Sequence, residues 1–408
     1  MKALVIGAGG VGSAIANIAV RRPFITEMII ADRDLSRAEA AVNRLGDNRF
    51  SATSVNASSV EDLCALIRLT NPDVVINAVD PRFVMQIFEA CEIEGVNYVD
   101  MAMSLSHADP DEPHSKVGVM LGDEQFIRDD SFKSKGIYAL VGIGVEPGLS
   151  DIFARYAADE LFSRIDSAIV YDGSNLVVEG YDFAPTFSIW TTIEECLNPP
   201  LMWDKDRGWY TTEPFSDLET FEFPEGIGPV ECVNVEHEEV ALIPRKIDAG
   251  KVAFKYGLGA HFIDILKTIH TLGLDRTDPI TVQGVSVSPR NVLAAVLPDP
   301  ATLGSRMSGK TCAGLQVKGL DKSGNPKAVY IYNVVDNAFS MSEYGDQAVV
   351  WQTAINPLIA LELIDRGDWK PVGVSGPEWF APLPFLELLA EYGTTWHIRE
   401  DSTTGIAR

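Results

Sequence analysis

Cysteine is scarce and scattered. The 408-residue chain holds five, at positions 64, 91, 196, 232 and 312, and no two form a C-x-x-C pair. A disulfide framework is not indicated, and the thiols suit a reducing cytoplasm. Histidine is also sparse: His237, His261 and His270 have no ligand spacing, so no metal site is expected. Positive charge is in deficit. Against 58 Asp plus Glu stand 33 Lys plus Arg, leaving a net charge of −25. That balance repels nucleic acid and anionic membranes, so neither is expected as a partner; a cationic small molecule is weakly favoured. No uncharged apolar stretch reaches the roughly 18 residues of a membrane span. The N-terminus enters an apolar strand directly, without a signal-peptide pattern. The expectation is a soluble cytoplasmic protein.

What the chain does have begins at once. Residues 3–12 read Ala-Leu-Val-Ile-Gly-Ala-Gly-Gly-Val-Gly, and Asp32 follows twenty positions after the last glycine. An apolar strand, a glycine turn and a helix make a device for holding a dinucleotide. Gly7 permits the tight turn, Gly9 and Gly10 let backbone approach a pyrophosphate, and Gly12 lets the helix pack closely. From Val11 that helix points its free N–H groups at the phosphates. Asp32 closes a second apolar strand, where its carboxylate can accept ribose hydroxyls.

Strands are expected at 2–7, 27–32, 50–55, 74–79, 97–102 and 138–145, with helices at 11–22, 35–45, 59–70 and 82–94. This alternation predicts an α/β, Rossmann-type doubly wound parallel sheet over residues 1–146. The polar stretch 104–136 reads as a surface insertion of loop and helix. Beyond a helix at 149–162, alternating strands at 166–171, 230–243, 251–257, 313–319 and 328–335 predict a second α+β domain, 147–345, on a mostly antiparallel sheet. Its exposed edge suits pairing in a homodimer. A helix at 347–366 opens the last segment, 346–408.

Ligands of open parallel sheets lie beyond the carboxyl ends of the strands. The fourth strand ends in Asn77-Ala78, where a small residue lets a cofactor approach; Asn77 either bonds the nicotinamide or stabilises the turn. Asp100, ending the fifth strand, is a substrate-facing acid or a cap. Glu146 stands at the lip of the cleft before a helix and is needed for no turn or cap. In the second domain, period-two alternation places Val233, Val235 and His237 on one strand face and Asn234, Glu236 and Glu238 on the other. His237 is a candidate proton donor. Arg245 is a candidate fork for a substrate carboxylate.

Gly7–Gly12, Asp73–Ala78, Gly95–Asp100, Glu146–Leu149, His237–Glu239 and Gly373–Glu378 together resemble the saccharopine dehydrogenase-like family. His237–Glu239 and Phe187–Glu195 look closest to its carboxynorspermidine dehydrogenase branch. The resemblance implies a bi-lobed oxidoreductase acting on a C–N bond, reducing an imine formed between an amine and an aldehyde or oxo acid. It implies a return to the nucleotide domain through the helix near Gln352 and Thr353, with Thr353 and Glu238 beside the substrate. It also implies a substrate-facing role for Glu146, where a relative has an Asp. NAD is favoured over NADP because Asp32 would repel a 2′-phosphate, although Arg33 next to it could offset that. Two other readings stay open: a lysine 6-dehydrogenase, and a non-catalytic NAD-binding regulatory protein.

Overall fold

A computed structural model describes residues 1–404 and 406. The first unit runs β1 (Lys2–Ile6), α1 (Gly10–Ala19), β2 (Glu27–Asp32), α2 (Leu35–Asn43), β3 (Phe50–Ser54), α3 (Val60–Thr70), β4 (Val74–Asn77), α4 (Val84–Glu94) and β5 (Asn97–Asp100). After the insertion, with α5 (Asp123–Phe126) and α6 (Asp129–Lys135), comes β6 (Tyr138–Leu140). α2 and α3 start where their sequences provide caps. Asp34 accepts the Ser36 N–H at 3.0 Å, and Ser59 accepts that of Asp62 at 3.1 Å. α1 has no side-chain cap, only Gly9, so its first N–H groups are left for a ligand.

β1 to β6 form a parallel sheet, flanked by helices, in the order β6-β5-β4-β1-β2-β3. A seventh strand, Gly373–Ser375, extends it beside β6. The Rossmann-type arrangement is as expected. The insertion is more integrated than a surface loop: Gln125 is fully buried and bonds both to Asp100 Oδ2 and to the Ser104 N–H, each at 2.8 Å.

α7 (Leu149–Tyr156) ends in a π turn, Ala157–Leu161, rather than continuing as regular helix. β7 (Phe162–Ser174) then enters a nine-stranded sheet. It pairs antiparallel with Lys310–Asp321 and parallel with Lys251–Gly257, so the sheet is mixed but mostly antiparallel. Lys310–Asp321 and Pro326–Asp336 form the hairpin that the turn-rich Asp321–Pro326 stretch predicts.

Two expectations need correction. The strand placed at 230–243 stops at Asn234, and Glu239–Lys246 is a helix. Every residue from 232 to 243 is buried, so there is no solvent face for period-two alternation to report. Segment 346–408 does return to the first unit, because helix Ala348–Arg366 packs on α1 and Arg22 Nη2 meets Glu362 Oε2 at 2.7 Å. Its last strand, Trp396–Glu400, instead pairs with Pro326–Asp336 in the second sheet. Among the described residues no helix is long and apolar enough to cross a membrane.

Candidate active site

The glycine loop fits a dinucleotide on geometric grounds. Gly7 has φ +110°, and a Cβ there would stand 2.5 Å from the Ala78 carbonyl oxygen. At Gly9 a Cβ would meet nothing within 4 Å: this backbone faces open space where a phosphate can approach. A cavity of about 210 Å³ lies over the loop, lined by Gly9, Gly10, Ser13, Arg37, Arg44 and Ser305. Val11 packs against the core, and Gly10 lies against Val350. Asp32 Oδ2 accepts the Ala8 N–H at 2.8 Å and Oδ1 that of Asp34 at 2.9 Å, so the carboxylate is pinned beside the loop. Arg33 is exposed. Sequence reading named neither Arg37 and Arg44 nor the Ala301–Ser305 segment that covers the loop from the second unit.

Two other strand-end candidates are held by the fold itself. Asn77 donates to the Tyr98 hydroxyl at 2.9 Å and accepts the Val79 N–H at 3.2 Å. Asp100 is 1% exposed and accepts from Gly142 N–H at 2.7 Å as well as from Gln125. Burial pushes its carboxyl up to about 7 against these hydrogen bonds. Both residues therefore fasten the walls of the cleft.

Glu146, His237 and Glu238 converge with acids from the second unit. α9 (Glu239–Lys246) follows the strand Gly228–Asn234, and α8 (Ile189–Leu197, the eighth helix) packs nearby. Between them His237 lies flat on Phe254, ring centroids 3.8 Å apart, with Nδ1 2.5 Å from Glu239 Oε2 and 3.4 Å from Glu238 Oε2. Burial would lower its pKa; the negative charge of Glu239, reinforced by Glu238 and Glu195, pushes it up to about 10. His237 is thus an imidazolium at neutrality. Glu239 moves the other way, since His237 beside it and a hydrogen bond from Glu146 outweigh burial. Glu146 is half-buried, accepts from the Ser150 hydroxyl, and is raised well above the usual carboxylate range by burial and by Glu239.

Around this pair stand further carboxyls raised chiefly by burial: Asp172 and Glu236 to about 7 and Glu195 to about 8. Glu195, Glu236 and Glu238 line a space of about 30 Å³ with Asp80 and Trp190. Arg82 stacks on Trp190 at 4.0 Å, bridging the two units at the mouth. Arg245 lies elsewhere: it pairs with Asp123 at 3.1 Å and stacks on Phe126 at 4.1 Å. Thr353 donates to Val349 O at 2.8 Å within its own helix.

These shifts fix how stability responds to pH. A carboxyl whose folded pKa is raised binds more protons folded than unfolded, so stability falls as pH rises from its ordinary value of about 4 to its folded value of about 7 to 8. His237 contributes fully below 6.5 and loses its contribution as pH rises through about 10. Both act in the same direction. The melting temperature of the ligand-free protein should fall by roughly 5 °C between about pH 6 and about pH 9, as scanning calorimetry can read. A rise over that window would mean that the acids are already ionised and compensated.

Comparison with known proteins agrees with this architecture. Residues 3–140 match the saccharopine dehydrogenase NADP binding domain, and residues 144–394 the saccharopine dehydrogenase C-terminal domain. The chain is 33% identical to a carboxynorspermidine synthase of Vibrio alginolyticus, covering 98% of this chain and 97% of that protein. It is 30% identical to a carboxyaminopropylagmatine dehydrogenase of Synechocystis, covering 97% of each. The solved apo saccharopine dehydrogenase of Saccharomyces cerevisiae shares the fold, with a TM-score of 0.69 at 14% identity over 98% of this chain and 100% of that one. The chain belongs to the saccharopine dehydrogenase family and is a nicotinamide-dinucleotide-dependent oxidoreductase acting on a C–N bond.

Proposed function

We propose that the protein reduces an imine formed between an amine with a second, remote cationic group and an aldehyde or oxo acid. The observation that carries this is the acid wall. Among the described residues Asp172, Glu195, Glu236 and Glu238 make no ion pair with Lys or Arg. Of the described residues His237 is the one cation that faces them, and acids that outnumber their counter-charge call for a cationic ligand. The relatives' names, which speak of a norspermidine and an agmatine derivative, support the same class.

A dinucleotide held over Gly9 and Gly10 would supply the hydride for the imine carbon. The chain's own groups do the rest. Glu146 and Glu238 flank the reacting nitrogen and stabilise its positive charge. Glu195 and Glu236 hold the remote cation beside Trp190. Arg82 stacks on Trp190 at the mouth but is already forked onto Asp80 at 2.7 Å, as Arg245 is paired with Asp123, so neither guanidinium is free for a substrate carboxylate. Asp32 favours NAD, while Arg37 and Arg44 in the cavity wall and the exposed Arg33 beside Asp32 supply charge that a 2′-phosphate would need; both cofactors belong in the assay.

The test is consumption of NADH or NADPH while diamines and basic amino acids are crossed with aldehydes and short oxo acids. Wild type should turn over a diamine–aldehyde pair. Glu195→Gln and Glu236→Gln should each raise KM for the amine about tenfold with little change in kcat. Reduction of NAD by free lysine alone would instead establish a deaminating lysine 6-dehydrogenase. Tight cofactor binding with no turnover of any pair would establish a regulatory binder.

A further inference from the structure

Two buried carboxyls take no part in that chemistry. Glu378, in the turn Pro377–Trp379, is fully buried, and neither of its oxygens has a hydrogen-bond partner. Its carboxylate folds over Gly376, where a Cβ would collide with it. Asp151, on the first turn of α7, is also fully buried; Oδ2 accepts the Gly148 N–H at 3.0 Å and Oδ1 has no partner. Glu239, on α9 where it packs against α7, is also fully buried, with Oε2 on His237 and no N–H donor on Oε1, only the Glu146 carboxyl as its neighbour. Glu146 Oε2 is likewise buried, and its partner is the Glu239 carboxyl, a pair that needs a proton between them. Four carboxyls thus gather in one region with oxygens that no N–H reaches, where α7, α9 and the Pro377–Trp379 turn pack together. An orphaned buried oxygen is costly, and a shared proton is the simplest way to satisfy two facing ones.

The charges around the group give it two ends. His237 faces Glu239 and Asp151 from the cleft side. From the C-terminal turn of α9, Arg245 and Lys246 face Glu378; Arg245 is partly exposed and paired with Asp123 of α5, and Lys246 lies over the exposed Trp379 ring at 4.4 Å. Burial and mutual repulsion raise the interior carboxyls: Asp151 responds to Glu239 and Glu378, and Glu146 to Glu239 and Asp172.

We propose that Glu239, Asp151 and Glu378 form a line of carboxyl groups beneath the cleft that stores protons and conducts them from the Arg245–Lys246 surface to Glu146 and His237. It rests on the reductive reading above, because that reaction consumes a proton: imine, reduced nicotinamide and H⁺ give secondary amine and oxidised nicotinamide. The hydride pair forms the C–H bond, the C=N π pair becomes the nitrogen lone pair, and the proton balances the nitrogen. Along the line each hop breaks one carboxyl O–H bond and forms another, with no electron transferred. Glu378 and Asp151 are positioning residues; neither touches the substrate.

The first arm of the test needs no substrate. Infrared spectra of the full chain at neutral pH should contain the carbonyl stretch of protonated carboxylic acids, shifted in D₂O. Glu378→Gln and Asp151→Asn should each remove part of it. A band unchanged in both variants overturns the proposal whatever reaction the enzyme performs. The second arm uses a pair that wild type turns over. There Glu378→Gln should lower kcat about tenfold at alkaline pH, move the alkaline limb down by about one pH unit, and leave KM for the amine unchanged. An unaltered pH profile with an unaltered solvent isotope effect also overturns it. If Glu378→Gln does not fold, Asp151→Asn carries both arms. Absence of turnover with every pair counts against the reductive reading alone, and the infrared band still decides the carboxyl line.

Discussion

Glu146→Gln should lower kcat/KM at least about a hundredfold, roughly 3 kcal/mol of transition-state stabilisation, while leaving cofactor affinity unchanged. The side chain sits on the turn between β6 and α7, beside Glu239. One oxygen accepts from Ser150, and the other is buried with only the Glu239 carboxyl as its partner. Gln keeps the volume and can still meet Glu239 through its amide, so folding should survive. What it lacks is a titrating proton and a charge. Both matter in the proposed reaction, since the imine carbon accepts hydride best when its nitrogen carries positive charge. Steady-state kinetics with a productive amine–aldehyde pair, alongside a cofactor titration, separates the outcomes. A loss below about threefold, under 1 kcal/mol, would remove Glu146 from catalysis. Loss of cofactor binding would show instead that the turn had moved. Glu146→Asp, one carbon shorter but still acidic, should recover part of the rate.

Much of the first unit is legible because its signals are local. The glycine turn, the acid that ends β2 and the capped helices lie within a few residues of what they determine, and parallel crossovers have one favoured hand. The acid cleft is legible only in fragments. Glu146 stands out because no turn or cap needs it. Asp100 and Asn77 look equivalent in sequence, and only the fold shows the distant partners that hold them, Gln125 and Gly142 for one and Tyr98 for the other. The stretch after Asn234 misleads because β-alternation assumes one wet face, and here both sides are buried. Glu195, Glu236 and Asp172 become a site only when α8, the loop before α9 and β7 meet. Arg245 reads as a carboxylate fork until the insertion is seen to supply Asp123. Strands Gly373–Ser375 and Trp396–Glu400 are too short and too far from their partners for periodicity to assign them.

Gly12→Ala should raise the cofactor Kd at least about a hundredfold and destabilise the fold by about 2 kcal/mol or more. A Cβ at position 12 would stand 1.9 Å from Gly7 O and 3.4 Å from the Ala78 Cβ. Something must move, and the turn cannot. Gly7 is held at φ +110° against Ala78, and the Ala8 N–H is tied to Asp32 at 2.8 Å. The yielding part is therefore α1, whose N-terminus would back away from the phosphate position it serves. Gly9→Ala is the informative contrast. Its Cβ meets nothing within 4 Å and its φ of −71° suits alanine, so thermal stability should match wild type. Its methyl nevertheless projects into the cavity over the loop, so cofactor affinity should fall without any loss of fold. Calorimetry and a reduced-cofactor fluorescence titration on the two variants separate helix packing from phosphate access. Wild-type affinity in Gly9→Ala would mean that the pyrophosphate does not lie over this turn, and the cavity lined by Arg37 and Arg44 would lose its assignment to the cofactor.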